Sequence, residues 1–168
     1  SLYPAIIGVK DKDPALYYVQ LQKLYTLLVW VALVLAIPIT FLADWIIYIL
    51  YGNEYIESVI ILKIYVWAGI FVSMSLPNNK WMVIENFQNY ILLTTLLGMS
   101  SNIIFNVILI PSYGAPGAAV ATLISYLIGS YAGLAFFKKS RQAFWMTTLS
   151  FNPFGVYKRN FQYPLVHG

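Results

Sequence analysis

The chain has no cysteine in its 168 residues, which removes disulfides and thiolate metal sites. Its one histidine, His167, stands alone in a terminal stretch and is read as inert. Charge is scarce too: 10% of residues are charged, against about 25% in soluble domains. No nucleophile lies beside a base, no residues carry metal-ligand spacing, and no glycine-rich loop is built to cradle phosphate. The expectation is a chain that is not an enzyme, with no catalytic residues, no metal and no cofactor.

What the chain has is apolar surface. Hydrophobic residues make up 60% of it, and the mean hydropathy is +0.72. A soluble domain of this size leaves too much of its surface in water to hide that fraction, so the lipid bilayer is the expected solvent. The net charge of +4 would suggest nucleic-acid binding in a soluble protein. Here the basic residues lie outside the apolar runs, so membrane topology explains them and no nucleic-acid partner is expected. The sequence opens on Ser1, without the charged start and cleavage site of a signal peptide. It reads as a fragment whose N-terminal part is missing.

A helix needs about 20 apolar residues to cross a hydrocarbon core of about 30 Å. Four stretches meet or approach that length: 25–43, 58–76, 90–110 and 117–137. The last two hold no charged residue, so neither has the polar face of a helix in water. Helices are the expected form, because lipid offers no partner to free backbone groups. The fold class is therefore all-α, a polytopic membrane helical bundle with four transmembrane helices in 1–140, followed by a cytoplasmic or interfacial tail over 141–168.

Local signals set the boundaries. Asp13 is an expected N-cap with Pro14 at the first helical position, Pro38 a kink, and Gly52 a helix end. Residues 77–80, "PNNK", are expected to break the chain between the second and third spans. In "IPSYGAPG", Pro111 is expected to end the third helix, Gly114 to take positive φ, and Pro116 to preset the fourth. Lys10, Lys12, Lys23, Lys80, Lys138, Lys139, Arg141, Lys158 and Arg159 then fall on one side of the membrane. The positive-inside rule makes that side, and both ends of the chain, cytoplasmic. The loops 51–57 and 111–116 lie outside.

Three stretches carry a family resemblance: "NIIFNVILIPSYGAPGAAVATLISY" (102–126), "LAIPITFLADWIIYILYGNEYIES" (35–58) and "SLYPAIIG" (1–8). Their order and spacing resemble the C-terminal part of bacterial polysaccharide and O-antigen flippases, in the multidrug/oligosaccharidyl-lipid/polysaccharide exporter superfamily. The resemblance covers most of 1–140. It implies the last four spans of a transporter with twelve or fourteen. It further implies a bacterial plasma (inner) membrane location, partnership with the N-terminal half of the same transporter, and flipping of an undecaprenyl-pyrophosphate-linked glycan by alternating access. A drug exporter of the same superfamily, and a non-transporting membrane subunit of a glycan assembly complex, remain open as alternatives.

Three groups of residues are candidates for function. Lys63 lies about 10 Å inside the outer end of the second span by helical rise. It faces a substrate cavity, or it snorkels outward or pairs with Glu57 or Asp44. Asn102 and Asn106, one turn apart, serve as hydrogen-bond glue or line the cavity. Gly117, Ala121, Ser125, Gly129 and Gly133 form an i+4 row of small residues, an oblique ridge for a crossing helix. That row is either tight packing or a contact that rocks during transport.

Overall fold

The structure is a computed structural model in which Gly8, Lys10 and residues 13–152 are described. Expectations placed on the opening "SLYPAII" stretch, Lys12, Lys158, Arg159 and His167 lie outside the described residues. Among the described residues the chain is helical, without strands. Its elements are α1 (Pro14–Tyr51), a 3-10 turn (Asn53–Tyr55), α2 (Ser58–Ile84), α3 (Gln88–Leu127), a π-helical turn (Ile128–Ala132), α4 (Gly133–Phe136) and α5 (Arg141–Leu149).

Helix α1 starts where local chemistry starts it. The Asp13 side chain accepts from the Leu16 N–H at 3.0 Å, and Pro14 follows, where a missing N–H costs nothing. The helix passes through Pro38 and ends at Gly52, whose φ of 82° favours glycine. Its 38 residues span roughly 57 Å, more than a hydrocarbon core requires.

Residues 77–80 do not break the chain. Helix α2 runs through Pro77 to Ile84, and the turn comes at Glu85 and Asn86, where Asn86 has φ 60°. The reason is that proline breaks helices chiefly by exposing unpartnered backbone, and a helix packed among neighbours can supply other partners. Pro77 is buried. The asparagine beside it spends its amide on other helices rather than on its own backbone.

Helix α3 folds back on itself. Its one non-helical residue is Gly114, at φ 59° and ψ −136°. Gly98 faces Gly129, Asn102 bonds Ser125, and Leu109 abuts Gly117, so the pairs straddle Gly114 almost symmetrically. The two arms are antiparallel. Pro111 therefore does not end the third helix, and both Pro111 and Pro116 sit within helical arms. Proline's fixed φ is close to helical, so only Gly114 can supply the reversal.

Among the described residues, three stretches are long and apolar enough to cross a membrane: Pro14–Tyr51, Ser58–Ile84 and Gln88–Phe136, the last containing both arms. Buried side chains run along the α1–α2 seam, from Ala43, Ile47 and Val59 through Val29, Ala36, Ile70 and Met74 to Tyr17, Leu21, Tyr25 and Trp81. Outward surfaces are apolar, with Phe41 79% and Val107 70% exposed. The first part of the expected tail is not separate from the bundle. Helix α5 buries Ala143, Met146 and Thr147, and Gln22 Nε2 donates to the Met146 carbonyl at 2.9 Å. At the same end Glu85 pairs with Lys10 at 3.0 Å and accepts from the Tyr17 hydroxyl at 3.2 Å.

Candidate functional site

A cavity of about 510 Å³ lies between α2 and the α3 hairpin. Helix α2 contributes Ser75, Asn78 and Asn79. The first arm contributes Thr94, Thr95, Gly98, Met99, Asn102 and Ile103. The second arm, the π turn and α4 contribute Thr122, Ser125, Tyr126, Gly129, Ser130 and Leu134. Ten of these fifteen side chains carry a hydroxyl or amide, and none carries a charge. The cavity is neutral, and its hydroxyl and amide groups are interspersed with apolar surface from Met99, Ile103 and Leu134.

Its hydrogen-bonding capacity is directional. The Thr94 hydroxyl donates to the Tyr90 and Ile91 carbonyls, and the Thr122 hydroxyl to Ala118 at 2.9 Å. Ser125 donates to Thr122 at 2.8 Å. With each proton spent on the helix, these oxygens keep lone pairs for another donor. Asn79, Thr95 and Tyr126 line the cavity with side chains that make no hydrogen bond to the described residues. The site thus accepts hydrogen bonds from several walls and offers amide and phenol donors from others. A ligand that both gives and takes hydrogen bonds, without net charge, suits that lining.

The floor of the cavity is held by Asn78, which is 2% exposed. Its Oδ1 accepts from the Tyr25 hydroxyl at 2.8 Å, and its Nδ2 donates to the Ser130 carbonyl at 3.0 Å. Thr147 Oγ1 lies 3.2 Å from the same Oδ1 and 2.8 Å from the Ala143 carbonyl, with one proton to share between them. One amide therefore ties together α1, α2, the π turn and α5. The π geometry matters here, because an i→i+5 bulge shifts carbonyls out of the regular ladder.

The candidates named from sequence separate in space. Asn102 lines the cavity and donates to Ser125 Oγ at 3.2 Å. Asn106 does not line it. Its Nδ2 donates to Asn102 Oδ1 at 2.9 Å, so it stands behind Asn102 and orients that amide. Lys63 is outside the cavity, 2.7 Å from Asp44 Oδ2 across the Gly52 end of the α1–α2 seam. Asp44 is thus its ion-pair partner, and the pair lies on an exposed face.

The small-residue row faces the first arm. A Cβ on Gly129 would lie 3.3 Å from the Gly98 Cα, so the two backbones nearly touch there. Ala121 is buried and Ser125 meets Asn102. A Cβ on Gly133 would lie 2.7 Å from the Ile128 carbonyl of the π turn. Gly98, Asn78, Asn79, Tyr25, Ser130 and Thr147 were not singled out from sequence. The spacing of Ser75, Asn78 and Asn79 was the available signal: read as helix rather than turn, it puts three polar side chains within one helical turn. No protein-family model, curated protein or solved structure matches the chain.

Proposed function

We propose that this chain is the C-terminal membrane part of a transporter that moves a lipid-linked oligosaccharide or polysaccharide precursor across the bacterial inner membrane by alternating access. Helices α1 and α2 and the two arms of the α3 hairpin form four spans, and the remaining spans lie in the N-terminal half of the same transporter. The observation that carries this reading is the neutral, hydroxyl- and amide-lined cavity between α2 and the hairpin. A glycan's hydroxyls both donate and accept, as that lining requires. Its polar body needs a path shielded from hydrocarbon, while the lipid tail of such a substrate stays in the bilayer.

Two further features support the reading. Among the described lining residues there is no carboxylate to attract a cationic drug, which favours a glycan over the drug-exporter alternative. Lys10, Lys23, Lys80, Lys138, Lys139 and Arg141 all lie at the α5 end of the bundle, which supports a cytoplasmic location for that end under the positive-inside rule. The Gly98–Gly129 contact lets the hairpin arms sit close enough to move as one body against α1 and α2.

The test is glycan export by the full open reading frame carrying Asn79→Leu or Thr95→Val, which remove free hydrogen-bonding groups from the cavity wall. Export is expected to fall at least about tenfold, with lipid-linked glycan building up on the inner leaflet and protein level unchanged. Undiminished export from both variants at normal protein level would overturn the reading.

A further inference from the structure

The α4–α5 turn concentrates charge that the cavity lacks. Lys138, Lys139 and Arg141 fall within four residues, all exposed, and none has an ion-pair partner among the described residues. The turn is held in place from several directions. Ser140 is 1% exposed, and its hydroxyl reaches the Leu134 carbonyl at 2.8 Å and the Phe137 carbonyl at 3.2 Å. The Arg141 N–H donates to Phe137 at 3.1 Å. The Phe137 ring packs on Tyr90 at 5.5 Å, and Lys139 Nζ stands 5.3 Å from the centre of the Phe87 ring.

Exposed aromatics flank the cations. Phe136 is 74% exposed and Trp145 43%. Arg141 and Trp145 are one helical turn apart on α5, on the side opposite the buried Ala143 and Met146. Aromatic rings concentrate at headgroup depth, where one side of the ring is apolar and the other wet. The combination is a fixed cluster of unpaired cations beside rings that favour the membrane interface.

We propose that the 137–141 turn and the outward face of α5 bind the headgroup of an anionic glycerophospholipid. Arg141 supplies a planar fork for phosphate oxygens, while Lys138 and Lys139 add point charge. The rings of Phe136 and Trp145 rest against the glycerol and upper acyl region. Binding of this kind anchors α5 to one leaflet, and it does not rest on the transport reading.

The experiment uses the full chain in detergent, titrated with phosphatidylglycerol or phosphatidylcholine and read by native mass spectrometry. Each cation is worth about fivefold near an anionic surface, so K138Q/K139Q/R141Q is expected to weaken phosphatidylglycerol binding on the order of a hundredfold. Phosphatidylcholine binding stays as in the wild type, and K138R/K139R/R141K keeps the preference. Should the triple variant fail to fold, K138Q alone is expected to lose about fivefold. The proposal is overturned if the wild type shows no preference for the anionic lipid, if the triple variant retains it, or if K63Q, which removes a remote cation, weakens binding as much. An isoprenoid pyrophosphate that displaces phosphatidylglycerol at substoichiometric amounts would overturn the phospholipid assignment.

Discussion

The hairpin at Gly114 makes a sharp demand on Gly117. A Cβ at position 117 would lie 2.5 Å from the Leu109 carbonyl oxygen and 2.8 Å from its carbon. Both are backbone atoms, so no side-chain rotation relieves the contact. Ordinary van der Waals contact begins at 3.4 Å, so Gly117→Ala must push the arms apart by about 0.9 Å at this point. Overpacking of this kind costs about 1–3 kcal/mol, and alanine returns up to about 1 kcal/mol of helix propensity. Splaying the arms also strains the Asn102–Ser125 bond and the Gly98–Gly129 contact. With about 1 kcal/mol returned, the net loss reaches about 2 kcal/mol, which at roughly 2–4 °C per kcal/mol for a chain of this size lowers Tm by up to about 8 °C. Gly69→Ala is the control. Gly69 lies in α2 with nothing within 4 Å of an added Cβ, so only the propensity gain applies and Tm rises by a degree or more. The assay is thermal unfolding in detergent followed by tryptophan fluorescence. The reasoning fails if the two alanine variants shift Tm in the same direction by the same amount.

Other consequences follow from particular contacts. Asn102→Cys with Ser125→Cys is expected to crosslink efficiently with a short bifunctional thiol reagent, since the native side chains bond at 3.2 Å and the chain has no other cysteine. In a straight helix those positions would lie about 35 Å apart and no crosslink would form. Asn78→Leu leaves the buried Tyr25 hydroxyl and Ser130 carbonyl without this partner. It should cost about 2–4 kcal/mol and expose the 137–141 turn to protease, as read by thermal unfolding and limited proteolysis. Lys63→Gln leaves Asp44 without its partner at a stretch read as membrane-embedded, so Tm should fall by a few degrees while glycan export per folded protein stays unchanged. A loss of export at normal protein level would return Lys63 to the cavity.

The elements that could be read in advance are those decided locally. Asp13 and Pro14 start α1, Gly52 ends it, and Gly114 reverses the chain because each conformation belongs to its own residue. Proline stops a helix most readily in water, whereas Pro77 is buried within α2 and the chain stays helical through it to Ile84. Asn78 and Asn79 therefore lie on a helix rather than in a turn, and they form one wall of the cavity. Asn78 was beyond sequence reasoning for a second reason. Its three partners, Tyr25, Ser130 and Thr147, lie on other elements, 52 to 69 residues away. The row from Gly117 to Gly133 was visible by spacing, but its partner Gly98 was not, because only the fold shows which face meets which. For Lys63 the sequence left two partners and a cavity open, and the geometry places it beside Asp44.

The central claim is that the α3 hairpin carries two antiparallel crossings, so that its turn and its two ends lie on opposite sides of the bilayer. Single cysteines at Ser112, Lys80 and Lys138, placed in the naturally cysteine-free chain, can be probed in intact cells with a membrane-impermeant maleimide. Labelling at position 112 without permeabilisation, and at 80 and 138 only after it, is the result expected. Labelling of 80 and 138 from opposite faces, or of 112 from the same face as both, would contradict the account.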